Sequence, residues 1–202
     1  MLLALVDAGY KFVYIDVGSY GRISDGGVFN SCSLATALQT NTLHIPGDRV
    51  LPNSNIICPY VIVADEAFAL RRYLMKPFSL RNLTTEQRVF NYRLSRARRV
   101  VENAFGIMFS RFRVFSKPIA LSPDKIESIV MATCCLHNFM LRNPLTAAQY
   151  MSDDMCDKNE LQPLGAQGGR RSSNEAIAVR ERFCAYFNSA EGTVGWQMDA
   201  IT

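Results

Sequence analysis

Seven apolar residues, Phe90, Leu94, Ala97, Val101, Ala104, Phe105 and Met108, recur mostly at steps of four and three. At about 100° per residue they form one stripe, which predicts a single long amphipathic helix. Thr84, with Gln87 three residues on, is a capping-box pattern and marks where that helix opens. On the same wheel Glu102 lies about 110° from the centre of the stripe, alongside Asn91, Arg98 and Phe109. It is a boundary residue that can reach from the edge of a core into a cleft.

The chain before this helix reads largely as strands, so the expected class is α/β. Leu2 to Val6 and Tyr10 to Val17, rich in β-branched and aromatic residues around Asp7-Ala-Gly9, predict a β-hairpin. Alternation places Phe12, Tyr14 and Asp16 on one face, and Val13, Ile15 and Val17 on the other. Asp7 reads as a turn residue and Asp16 as an edge or loop-bonding group. A helix capped by Ser24 or Asp25 runs on to Leu38, and residues 41–59 read as a surface connection with a short strand. Tyr60 to Ala64, apolar throughout, predicts a buried strand that ends on Asp65. A short helix is expected from Glu66 to Met75, broken at Lys76-Pro77.

Beyond the long helix, Pro123 to Leu141 predicts a second one that packs on a sheet, with Ile126, Ile129, Val130, Thr133, Leu136, His137 and Met140 inward. His137 reads as a satisfied core or boundary histidine. Residues 143–174 turn polar and rich in Gly, Ser and Asp, the composition of a flexible linker. A last amphipathic helix follows from about Ser173 to Asn188. The expected organisation is therefore a main domain over residues 1–142, a linker over 143–174 and a helical tail over 175–202.

Composition narrows the function classes. No apolar run approaches the roughly 18 to 20 residues that span a bilayer, and the opening residues lack the basic leader of a signal peptide. Six cysteines are scattered without any Cys-x-x-Cys, so buried free thiols are expected rather than a zinc site, notably at Cys134 and Cys135. The net charge of +4 is modest but uneven, with eight cations and one acid, Glu102, between Arg88 and Lys117. Such a block suits a phosphate backbone, or else forms a solvated basic helix face. An acid at a strand end, Asp65, followed by one on a helix among cations, Glu102, suits metal-dependent phosphodiester chemistry. The plainer alternatives are a strand-end cap for Asp65 and an ion pair with Arg98 or Arg99 for Glu102.

These residues resemble the DDE superfamily nucleases of the Harbinger (PIF/Harbinger) transposon group and their domesticated relatives. The resemblance rests on Gly18-Ser-Tyr-Gly-Arg-Ile-Ser-Asp25-Gly-Gly-Val-Phe29, on Val63-Ala-Asp65-Glu-Ala-Phe68 with Met75-Lys-Pro-Phe78, and on Val101-Glu102-Asn-Ala-Phe-Gly106 with Ser110-Arg-Phe-Arg113. Leu136-His-Asn138 and the ending Glu191-Gly-Thr-Val-Gly-Trp196-Gln197 extend it. It implies an RNase H-like, DDE integrase-type mixed sheet flanked by helices. It further implies a nuclear, metal-dependent DNA endonuclease or transposase using Mg2+ or Mn2+, in which Asp65 and Glu102 are the second and third carboxylates of the triad. Arg98, Arg99, Arg111 and Arg113 would contact DNA phosphates, and a separate Myb-like protein would supply target specificity.

The family's first aspartate sits on a strand in an Ile-Asp-Gly type segment that this chain does not contain, so the expected sheet lacks its first strand. That leaves two competing readings. One is a nuclease by ancestry. The other is a non-catalytic domesticated or decayed relic that binds DNA or protein.

Overall fold

The structure, a computed structural model, describes residues 1–18, 25–79, 81–152 and 172–201. Its elements in chain order are β1 (Leu2–Val6), β2 (Phe12–Val17), α1 (Asp25–Ser31), α2 (Ser33–Gln39), β3 (Arg49–Val50), β4 (Ile57–Cys58), β5 (Ile62–Val63), β6 (Leu74–Met75), α3 (Thr85–Arg111), α4 (Pro123–Met140), α5 (Pro144–Met151) and α6 (Asn174–Phe187). This is a mixed α/β protein. Among the described residues the strands form three two-stranded ladders, β1 with β2, β3 with β4 and β5 with β6, in place of the one mixed sheet expected. The chain divides into two compact units, one of residues 1–23 and 99–163, the other of 24–98 and 164–202, with the boundary inside α3.

In the first unit the expected hairpin forms as an antiparallel pair. Asp7 makes its turn, as read from the sequence, by accepting from the N–H groups of Gly9 at 2.8 Å and Lys11 at 3.0 Å. The alternation is corrected at one place: Leu5 faces Tyr14 but Val6 faces Phe12, so Val13 is bulged out and 63% exposed. A bulge resets the two-residue period, which puts Phe12 on the core side with Ile15 rather than with Tyr14 and Asp16. Phe12 joins Ala104, Met108 and Cys134 in a core that also takes in Ala4, Val6, Phe105 and Val130.

Helix α4 lies over this hairpin through two adjacent polar side chains. Asn138 accepts from the Phe12 N–H at 2.8 Å and donates to the Phe12 carbonyl at 2.8 Å, so it completes the backbone pairing of that residue. His137, wholly buried, donates from Nε2 to the Tyr10 carbonyl at 2.8 Å and accepts at Nδ1 from the Tyr150 hydroxyl at 2.9 Å. Tyr150 comes from α5, a helix at the place where the expected linker would begin; Pro at its first position and the Asn143 cap nucleate it. The rest of the expected linker, residues 153–171, lies outside the described residues, as do the side chains proposed to cap α1.

The second unit holds α1, α2, β3 to β6, the first half of α3, and α6. The expected single helix ending near Leu38 is interrupted at Cys32, whose thiol accepts from the Ala35 N–H and starts α2 afresh. No helix forms over Glu66 to Met75. The segment instead turns back so that Leu74 and Met75 pair in parallel with Ile62 and Val63, and both become almost wholly buried. Tertiary pairing outweighs a weak local helix preference in so short a segment. Leu70, Met75, Phe78, Phe90, Leu94, Val179 and Cys184 form the core. Here too a helix asparagine completes one residue's backbone, Asn91 accepting from the Phe78 N–H at 2.7 Å and donating to its carbonyl at 3.0 Å.

Candidate active site

Asp65 stands immediately past the last paired residue of its strand, since the Ala64 N–H still donates to the Met75 carbonyl at 2.9 Å. Its Oδ1 accepts from the Ala67 N–H at 2.9 Å, a local turn closed by the side chain itself. The chain after Asp65 is a turn and not a helix, so the cap reading is replaced by this one. The carboxylate is half-buried. Its neighbour Glu66 is exposed, and the Glu66 carbonyl accepts from Lys76 Nζ at 3.1 Å.

The turn is braced by α1. A Cβ added to Gly26 would come within 2.8 Å of the Ala67 carbonyl oxygen, closer than real side chains approach backbone. Only glycine lets the helix start this near to the Asp65 turn. Three residues on, Phe29 meets Phe68 edge to face with ring centroids 5.7 Å apart. The Gly-Gly-Val-Phe29 motif thus has a structural purpose, which is to hold the loop that presents Asp65.

Glu102 occupies the second half of α3 and is half-buried, two residues before the fully buried Ala104. Asp65 and Glu102 belong to different compact units. Carboxylate oxygens are the hard donors that Mg2+ and Mn2+ prefer. Among the described residues, however, no group of three or more His, Cys, Asp or Glu side chains could hold a metal ion. The described residues thus fall short of a complete three-carboxylate set.

The basic block is less uniform than its sequence. Arg93 donates to the Gly192 carbonyl and to Gln197 Oε1, both at 3.1 Å, and lies over the Phe187 ring. Burial holds its pKa below the usual arginine value. Arg96 sits 4.5 Å from the centre of the Trp196 ring. Arg111 reaches α5, donating from Nε to the Tyr150 carbonyl at 2.8 Å and from a second nitrogen to the Gln149 carbonyl at 3.2 Å. Both carbonyls lie in the last turn of α5, so the cation caps the helix. Arg99 and Arg113 are exposed, and Arg98 is half-buried.

Two polar centres escaped the sequence reading. Gln197, 2% exposed, accepts from Arg93 and from the Val194 N–H and donates to the Phe187 carbonyl at 3.0 Å. Asn138 is the other. The signal for Asn138 was present, an amide beside the histidine on an otherwise apolar helix, but its partner lies 126 residues away.

Residues 1–138 match the family model described as DDE superfamily endonuclease. Among relatives, the chain is 33% identical over 127 residues to "Putative nuclease HARBI1" of Bos taurus, which covers 55% of this chain and 36% of that one. It is 26% identical over 146 residues to the protein of the same name in Xenopus laevis, covering 71% and 38%. With "Protein ALP1-like" of Arabidopsis thaliana it shares 23% identity over 142 residues, covering 69% and 34%. The matched region thus spans little more than a third of these relatives' own length. No solved structure matches the chain at the significance that these relatives reach. With the match over residues 1–138 taking in the Asp25, Asp65 and Glu102 segments together, the chain belongs to the DDE superfamily endonucleases.

Proposed function

We propose that this chain is part of a nuclear DDE-type endonuclease that cuts DNA phosphodiester bonds, with Asp65 and Glu102 as the second and third carboxylates of its metal site. The observation that carries the reading is that a single family match spans both residues. The local structure of Asp65 supports it, because a short strand, an amide donor and the Gly26 approach together hold that carboxylate in one orientation. An RNase H-like mixed sheet flanked by helices and lacking its first strand is part of the same proposal.

Divalent Mg2+ or Mn2+ bound by such a site supplies Lewis-acid activation at phosphorus. Asp65 and Glu102 would hold the ion, and Arg98, Arg99 and Arg113 would receive the DNA backbone, with Arg111 engaged at α5. The test is nicking of supercoiled DNA across a range of Mg2+ and Mn2+. The expected result is metal-dependent nicking that drops at least about 100-fold in Asp65→Asn and in Glu102→Gln. Nicking that continues at the same rate in both variants overturns the reading. Salt-sensitive DNA retention without cleavage at any metal concentration supports the non-catalytic alternative instead.

A further inference from the structure

The outer face of α4 is apolar where a helix of this kind should be polar. Thr133, Cys134 and His137 are buried, yet Met131 is 52% and Phe139 64% exposed, and Cys135 between them is exposed as well. This corrects the expectation that Cys135 is buried beside Cys134. At 100° per residue, Asp124, Ser128, Met131, Cys135 and Phe139 all fall within about 40° of one line along the helix. That line runs on the side opposite His137, and Arg142 follows Phe139 by three residues just past the C-terminus. Asp124 and Arg142 are both exposed. The seam is therefore acidic at its start, apolar in its middle and basic at its end.

We infer that α4 pairs antiparallel with α4 of a second copy of this chain. The order of charge along the seam is complementary to that of a second copy. Under a two-fold axis near Thr133, Met131 of one copy lies against Cys135 of the other, and Asp124 meets Arg142 of the other copy. The same ion pair forms twice, once at each end, which is the self-complementarity an isologous interface requires. Antiparallel packing also opposes the two helix dipoles favourably. Lys125, the other exposed cation at that end, stands about 80° off the line and faces solvent beside the seam. An 18-residue helix presents a seam about 27 Å long. A pair of single helices is a small interface, so a weak dimer with a dissociation constant on the order of micromolar to tens of micromolar is expected.

Sedimentation of the full chain provides the test. Wild type dimerises in that range, and Phe139→Glu weakens the dimer at least about tenfold by replacing an apolar side chain with an acid that faces Glu127 and Ser128 of the other copy. Asp124→Arg and Arg142→Asp each weaken self-association at least about tenfold, because like charges then meet at both ends. An equimolar mixture of those two variants restores dimers, since one variant is then basic at both ends of its seam and the other acidic at both ends. Restoration by mixing cannot arise from misfolding of either variant. A wild type that stays monomeric up to about 100 µM, or a mixture that stays monomeric when each variant is folded by circular dichroism, overturns the inference.

Discussion

At the scale of single residues, Asp65 is set by backbone. Its carboxylate is turned by the Ala67 amide, and that turn sits against Gly26. Gly26→Ala is expected to displace the turn and cost about 1 to 3 kcal/mol, through overlap with a carbonyl that cannot rotate away. A urea titration measures the cost. Metal-dependent nicking, if present in wild type, should fall in the same variant although no carboxylate has changed. His137 carries a separate prediction. Burial lowers its pKa below the ordinary histidine value, and only the neutral ring can accept the Tyr150 hydroxyl proton. As pH falls below about 6.5 the unfolded chain binds this proton first, so the contribution of His137 is complete above that pH and is lost progressively below it. The melting temperature should drop more steeply from pH 7.5 to pH 5 in wild type than in His137→Gln, whose amide does not titrate. Equal slopes would show that His137 has no part in the acid sensitivity.

At the scale of elements, each compact unit uses the same device. A helix asparagine closes both backbone groups of one core phenylalanine, Asn138 for Phe12 and Asn91 for Phe78. Asn138→Ala leaves a donor and an acceptor of β2 without these partners and should cost about 2 to 4 kcal/mol, with loss of amide-exchange protection in β1 and β2. Helix α3 starts where its capping box predicted, with Thr84 and Gln87 bonding reciprocally. Its apolar stripe was legible too, but its division was not. Phe90 and Leu94 enter one core, Ala104 and Met108 enter the other, and Ala97 between them is exposed. Leu136 on α4 is likewise outward, 51% exposed, because the buried side there is centred on Thr133 and His137. After α6 the chain folds into turns held by Gln197, and Gly192 lies so close to the Tyr186 carbonyl that a Cβ would overlap it. Gln197→Leu should lower stability by about 1 to 3 kcal/mol in a thermal melt, because the Arg93 guanidinium loses an acceptor and the Phe187 carbonyl a donor.

At the scale of the molecule, the charge that could meet DNA is smaller than the count of cations. Arg93 and Arg111 are engaged with carbonyls and Arg96, itself exposed, lies against the Trp196 ring, while Arg99 and Arg113 are exposed. Replacing Arg99 and Arg113 together by Gln should reduce the salt slope of DNA binding by up to about 2, measured by fluorescence anisotropy across a salt series. Replacing Arg93 and Arg96 by Gln should leave that slope in place and lower the melting temperature instead.

What the sequence determined alone was the set of features carried by neighbouring residues. These are the hairpin, the capped long helix, α4, α6 and the family resemblance concentrated in short motifs, whereas the buried strand expected over Tyr60 to Ala64 shortens to Ile62–Val63, half-buried, with Tyr60 45% exposed. Periodicity and capping act within a few residues, so they can be read along the chain. Tertiary structure decided the bulge at Val13, the strand made by Leu74 and Met75, the inward roles of Asn91, Asn138 and Gln197, and which arginines remain available. Each of these depends on partners far away in the chain, whose hydrogen bonds and burial outweigh a local preference worth less than about 1 kcal/mol per residue.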